Sequence, residues 1–278
     1  MTLIAMPSRA GSVAPIGAQL RNWRLRRRLS QLDLALDAGI SQRHLSFVES
    51  GRAAPSRDMV LHLAEQLEVP LRERNMLLLA AGFAPRFSDR PLDDPALAAA
   101  RGVVEAILRA HVPHPALAVD RHWTMVAANE AVAPLLAGVR DAALLRAPVN
   151  VLRLSLHPGG LARAIANLQQ WRAHVLGRLR RQVIASADPI LAALLTELSD
   201  LAPDGRDRTV VEPFKDEIAI PLELDTAQGR LSLISTTTVF GTPTEVTLSE
   251  LAIEAFYPAD GATVERLQRL NQPQPGAR

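Results

Sequence analysis

LSQLDLALDAGISQRHLSFVESG, residues 29–51, holds two short helices and the sharp turn between them. Ser30 is a residue type that caps a helix, and Leu32, Leu34, Ala35 and Ala38 follow at a spacing that gives an apolar face. Gly39 supplies the left-handed backbone a tight turn needs, and Ile40 is an apolar plug. Ser41 caps a second helix with Leu45 and Val48 turned inward, and Gly51 ends it. Two short helices joined by such a turn make a helix-turn-helix, whose second helix enters the major groove of duplex DNA.

On that second helix Gln42, Arg43, Ser46 and Phe47 point outward, with His44 to one side. Arginine pairs bidentately with guanine, glutamine with adenine, and an aromatic edge touches a thymine methyl. Arg24, in the preceding helix, and Glu49 are placed to form an ion pair. The stretch RNWRLRRRLSQLDLALDAGISQRHLSFVESGRAAPS resembles the phage-repressor or xenobiotic-response-element (XRE) type of helix-turn-helix. Arg24, Ser30-Gln31, Leu34-Ala35, Gly39, Ser41, Glu49, Gly51 and Pro55-Ser56 carry the resemblance. It implies that Gln31 binds a phosphate and that Gln42, Arg43 and Ser46 read bases, with Ser41 and His44 beside them in the DNA-binding set. Phe47 stands where many relatives have a polar residue. The bland alternative is a surface helix of an all-α domain.

Residues 16–28 read as a preceding helix, with Leu20, Trp23 and Arg24 turned towards the pair. Arg26, Arg27 and Arg28 then lie beside the phosphate backbone, adding affinity without sequence information. A fourth helix over residues 57–67 has Val60, Leu63, Ala64 and Leu67 on one side. A fifth over residues 71–81 ends at Gly82, completing an all-α five-helix domain at residues 16–82. Arg52 and Arg57 flank the reading helix as phosphate clamps, with solvated surface arginines as the alternative. Residues 1–15 read as a disordered arm.

At 278 residues the chain has room for two domains, and 48% hydrophobic content supports real cores. The absence of cysteine excludes disulfides, thiolate zinc sites and cysteine nucleophiles. No secretory signal is visible, and the longest charge-free run, residues 231–244, is too short to span a bilayer. A cytoplasmic protein with no membrane partner is the expectation. Net charge is only +2, but residues 1–90 hold 13 arginines against 8 acidic side chains, while the remainder has 18 basic against 21 acidic. Positive potential therefore accompanies the helix-turn-helix.

The prolines and scattered charge of APRFSDRPLDDP mark a linker at residues 83–94. Asp94-Pro95 starts a helix to about residue 110 that joins the modules or pairs with its copy in a dimer. PALAVD and HWTMVAA are strand-like runs joined by Asp120-Arg121, and Asn129 caps a helix over residues 130–136. Residues 160–185 read as one long helix. Asp188-Pro189 starts another, with Ile190, Leu191, Leu194, Leu195 and Leu198 inside. EIAIPLEL, GRLSLISTTTVF and ELAIEAFYP read as three antiparallel strands, followed by a short helix, residues 263–270, and a tail, 271–278. Two strands, helices, then three strands is the order of an α+β PAS-like domain, here over residues 95–270. Such a domain has a five-stranded antiparallel sheet with helices on one face, enclosing a cavity.

The blocks PALAVDRHWTMVAANEA, NVLRLSLHPGGLARAIANLQQWRAHVLGRLRRQ, ADPILAALLTEL and STTTVFGTPTEVTLSELAIEAFYPAD resemble the ligand-binding domain of MmyB-like transcription regulators. The resemblance implies a PAS-like fold and a buried apolar effector of fatty-acid type, with no other cofactor.

Trp123, Trp171, Val175, Phe214, Phe240 and Tyr257 are candidate cavity residues, with ordinary core as the alternative. Arg172 falls inside the apolar stripe Leu161, Ile165, Leu168, Val175, Leu176, Leu179 and Val183. It needs a partner there: Glu250, Glu254 or the carboxylate of an acidic effector. His111, His114, His122 and Asp120 are near in sequence but lack a metal-ligand spacing, so no metal is expected. No catalytic motif occurs; the hydroxyls of residues 235–238 suit cross-strand pairing.

The expectation is a sequence-specific transcription regulator. It binds a palindromic double-stranded DNA operator as a homodimer, senses a small apolar ligand and is not an enzyme. The rivals are an architectural DNA-binding dimer with no ligand, an enzyme fused to the helix-turn-helix, and a haem or metal sensor using His157 or His174.

Overall fold

Ser30, Ser41 and Ser56 each accept a hydrogen bond from the backbone N–H three residues on, and each starts a helix. The computed structural model describes residues 14–201 and 220–271 and divides into two units, Met1–Asp89 and Arg90–Arg278. The arm expected before residue 16 and the tail after 271 fall outside the described residues except at their inner edges. Unit one contains α1 (Ile16–Arg26), α2 (Gln31–Asp37), α3 (Gln42–Glu49), α4 (Arg57–Gln66) and α5 (Leu71–Ala80). Gly39 and Gly51 take positive φ, +61° and +75°, in the turns after α2 and α3.

Leu20, Trp23, Leu34, Leu45, Val48, Val60, Leu63, Leu67, Leu77 and Leu78 pack into one core. Burying each large side chain contributes about 1.5–3 kcal/mol. The inward face of α2 is narrower than the sequence suggested: Leu34 and Ala35 are buried, whereas Leu32 is 50% exposed. Two residues along a helix is a rotation of about 200°, so Leu32 and Leu34 cannot share a face.

Within the core Arg24 donates from Nε and Nη2 to the two carboxylate oxygens of Glu49, at 2.7 and 2.9 Å. Its Nη1 reaches the carbonyl of Leu29, and Gln31 donates a further hydrogen bond to Glu49 at 2.8 Å. α1, the start of α2 and the end of α3 are thus joined through one buried carboxylate. Residues 86–89, inside the stretch read as a linker, are tied to α5. The Asn75 amide bonds the backbone of Arg86 and Phe87, and Arg72 pairs with Asp89.

Unit two begins with a 3-10 turn, Pro95–Leu97, and α6 (Ala98–Ala110), then β1 (Ala116–Val119) and β2 (Met125–Ala128). After two 3-10 segments come α7 (Val151–Leu156), α8 (Leu168–Ser186) and α9 (Pro189–Asp200). The unit closes with β3 (Leu222–Thr226), β4 (Gly229–Val239), α10 (Val246–Ser249), β5 (Ala252–Pro258) and α11 (Gly261–Leu270). The strands form one antiparallel sheet in the order β2-β1-β5-β4-β3. Side chains alternate across it. Ala116, Ala118, Ile253 and Ala255 pack with Val104 and Leu108 of α6 on one face. Leu117, Val119, Leu231 and Leu233 join the larger core with α8, α9 and α11 on the other. Helices thus cover both faces.

Three local expectations are corrected. The long helix starts at Leu168, because residues 164–166 instead pair with the edge of the sheet: Ala166 N–H donates to Glu223 O, and Asp225 N–H to Ala164 O. Residues 130–138 are 3-10 helix with Pro134 inside, and Asn129 makes no side-chain cap there. Asn129 instead accepts from Ala116 N–H and donates to the carbonyls of Leu108 and His114, fastening α6 to β1. The strand expected over residues 217–224 begins at Leu222, with residues 220–221 not part of it and residues 217–219 outside the described residues. Among the described residues no helix is long and apolar enough to cross a membrane.

Candidate DNA-reading face and effector cavity

Leu45 and Val48 of α3 are fully buried, and Glu49 is locked to Arg24, so the helix cannot roll. That fixes its other face outward. Gln42, Arg43 and His44 are exposed in the first turn, and Ser46 and Phe47 are half-buried beside them. Ser41 is exposed too, but its hydroxyl accepts from His44 N–H, which makes it a cap. The guanidinium carbons of Arg43 and Arg52 lie 5.4 and 5.8 Å from the centre of the Phe47 ring. The ring therefore spaces two cations along the face, a geometry in which cation–π attraction operates. Arg26 is exposed at the end of α1, over Trp23, and Arg57 is exposed at the start of α4.

Two residues read as phosphate contacts have inward partners. Arg27 donates to the carbonyls of Leu67 and Glu68 at 2.8 and 2.9 Å, satisfying the end of α4. Gln31 gives its amide to Glu49.

In unit two a cavity of about 110 Å³ lies between the sheet and α8. Leu117, Met125, Val132, Leu152, Leu161 and Phe256 contribute its apolar wall, together with Trp123, Trp171 and Val175. Trp123 has φ +66°, a region bulky residues seldom enter. The β1–β2 turn holds it there: the Asp120 carboxylate accepts from the N–H groups of His122 and Thr124. Both indoles are satisfied, Trp123 Nε1–H on Gln182 and Trp171 Nε1–H on Ser155.

One wall is polar. Arg178 makes a two-pronged pair with Glu254, at 2.7 and 3.0 Å, while its guanidinium carbon lies 4.5 Å from the Trp123 ring centre. Glu254 is 5% exposed and also accepts from Thr237. His174 stacks on Trp171, and burial, reinforced by Arg178 and Arg181, holds its pKa below the usual histidine value.

Family comparison follows the same division. Residues 20–74 match a helix-turn-helix model, and residues 100–270, more than half the chain, match the MmyB-like transcription regulator ligand binding domain. The chain belongs to the MmyB-like transcription regulators. This MmyB-like regulator is a DNA-binding transcription regulator with a ligand-binding domain. No curated protein matches it. It is similar to a solved structure described as "Structure of an RNA-binding Light-Oxygen-Voltage Receptor". The two are 15% identical with a TM-score of 0.27, over 97% of this chain and 68% of that one. That likeness is too distant to bear on fold or function.

Of the ligand-binding residues read from the sequence, the MmyB-like regulator brings Trp123, Trp171 and Val175 to the cavity. Phe214 lies outside the described residues. Phe240 packs with the α6 side of the sheet, and Tyr257 is 45% exposed against His111. Tyr257 is an odd-numbered residue of β5, and the strand period of two sends it to the face opposite Glu254 and Phe256.

Arg172 is also absent from the cavity. Its Nη2 donates to the carbonyls of Leu198, Ser199 and Leu201, closing the end of α9, while Glu250 lies 3.5 Å from Arg121 and Glu254 pairs with Arg178. Replacement of Arg172 by leucine is therefore expected to cost about 1.5–3 kcal/mol of stability while ligand affinity stays within twofold. Parallel urea melts and ligand titrations check this; a lost ligand response in a fully stable variant would return Arg172 to the pocket.

The residue the sequence reading missed is Arg178. Residues 171, 175, 178 and 182 form one face of α8, towards the cavity, and residues 172, 176, 179 and 183 an adjacent one. A wheel centred on the second face hides the first. The sequence signal was Glu254, an acidic side chain set between Ile253 and Ala255 in a strand.

Proposed function

We propose that this regulator binds a palindromic operator as a homodimer in the cytoplasm, and that a small apolar ligand in the second domain alters that binding. The observation that supports DNA reading best is the first turn of α3, where Gln42, Arg43 and His44 are exposed on a helix held by its buried side. One such helix spans a single half-site. A two-fold pair reads two half-sites about 34 Å apart, which raises both affinity and selectivity.

The effector is proposed to bury its apolar part between Trp123, Trp171 and Val175. An engineered apolar cavity of about 150 Å³ holds benzene. A volume of 110 Å³ therefore suits one ring or a short alkyl chain, and a long fatty-acid tail requires the walls to part. The ligand acts to the extent that it prefers one of two arrangements of the dimer. Regulation rather than catalysis is the proposed role, with no cofactor besides the effector.

The test is binding to a selected operator and to its single-base variants. Arg43→Ala is expected to lose about 1–3 kcal/mol of discrimination at one base pair with non-specific affinity nearly unchanged. Equal weakening on every sequence would assign Arg43 to the phosphates instead.

A further inference from the structure

Phe47 sits half-buried on the reading face of α3 and is not part of the core of the first domain. Side chains on a helix lean towards its N-terminus, so the ring covers the turn that carries Arg43. The Arg43 guanidinium carbon lies 5.4 Å from the ring centre. A second cation arrives from the other end of the helix. Gly51, at φ +75°, reverses the chain, and the Phe47 carbonyl then accepts from the N–H groups of Arg52 and Ala53 at 2.8 and 3.1 Å. That reversal carries the Arg52 guanidinium carbon to 5.8 Å from the same ring centre. Both arginines are exposed, and among the described residues neither pairs with a carboxylate.

We propose that Phe47 is a positioning residue, whose ring holds Arg43 ready for a guanine edge and Arg52 ready for a phosphate without itself reading a base. The proposal rests on the DNA-reading role of α3 given above and adds what makes Arg43 selective. A free arginine side chain samples many rotamers, whereas a bidentate guanine contact needs one plane and one direction. Holding the guanidinium against a ring removes part of that ordering from the binding step. At an exposed site the attraction is worth about two- to fivefold in affinity. Two cations kept beside one ring also repel each other in the free protein. A guanine edge with two acceptors and a phosphate relieve that repulsion, so DNA is the ligand the arrangement favours.

The test uses the full chain with an operator selected from randomised duplexes, its single-base variants and random duplex. Phe47→Leu keeps the apolar bulk and the helix propensity but has no ring, and Phe47→Tyr keeps the ring. Phe47→Leu is expected to lose about two- to fivefold of the discrimination at the base pair that Arg43→Ala identifies, with other positions unchanged. Affinity for random duplex should change by less than about twofold, and its salt slope not at all, because no charge is removed. Phe47→Tyr should keep the wild-type discrimination. In an Arg43→Ala background Phe47→Leu should cost nothing further at that base pair, the signature of one residue acting through another. Wild-type discrimination in Phe47→Leu overturns the proposal. So does a loss at a different, thymine-bearing base pair that persists without Arg43, which makes the ring a reader in its own right. Equal weakening at every base pair with a lowered melting midpoint makes Phe47 a packing group and overturns it too. If selection enriches no sequence, or Arg43→Ala weakens every duplex equally, the reading role itself fails and the proposal with it.

Discussion

Glu49→Ala is expected to destabilise the first domain by about 3–5 kcal/mol, the cost of leaving a buried charge without its partner. Arg24 is 6% exposed and Glu49 8% exposed, and truncating the acid strands a buried guanidinium. Gln31 loses its acceptor in the same step. The pair itself is worth far less than its breakage, because burying both ions already cost desolvation. The double change Arg24→Met/Glu49→Leu should therefore be much milder than either single one. Hydrogen exchange resolved to α1 and α3 in the full chain would measure this, and a loss below about 1 kcal/mol in Glu49→Ala would contradict the buried-pair account.

Acid provides an independent check. Burial pushes the Glu49 carboxyl up, but hydrogen bonds from Arg24 and Gln31, with the charges of Arg24 and Arg21, outweigh it and hold the group below the ordinary carboxylate value. A depressed folded-state pKa gives stability that is present above the unfolded value, about 4.3, and lost as pH falls through the folded one. Protection of α1 and α3 should fall below about pH 4, and this part of the slope should vanish in the double variant.

Much of the first domain was legible because its signals are local. A cap, an apolar spacing and a glycine turn lie within 23 residues, and even the Arg24–Glu49 pair follows from residue type at that spacing. The second domain was legible as an order of strands and helices but not as a site. Strand periodicity already places Tyr257 opposite Glu254, yet only the register Thr237↔Glu254 shows which carboxylate meets α8. Arg172 and Arg178 are both arginines near one apolar stripe. Which of them meets the cavity depends on where α9 ends, and that is a long-range fact. Arg27 and Gln31 show the same limit, since their partners in α4 and α3 are invisible to a motif.

Gly17→Ala should destabilise the helix-turn-helix even though alanine is the better helix former by about 1 kcal/mol. A Cβ on Gly17 would lie 2.4 Å from Val48 O and 2.6 Å from Glu49 O, backbone atoms in the last turn of α3. Neither has a rotamer to give, so α1 must lift away from α3. Overpacking of this kind costs about 1–3 kcal/mol, and here it also disturbs the Arg24–Glu49 geometry that stops the reading helix from rolling. Operator affinity should fall more than affinity for random DNA, because base contacts depend on the helix angle and phosphate contacts much less. Gly102 in α6 supplies the comparison: a Cβ there meets nothing within 4 Å, so Gly102→Ala should stabilise by about 0.5–1 kcal/mol. If both variants melted at or above the wild type, α1 and α3 would be less closely packed than described, and the restraint on the reading helix would have to come from elsewhere.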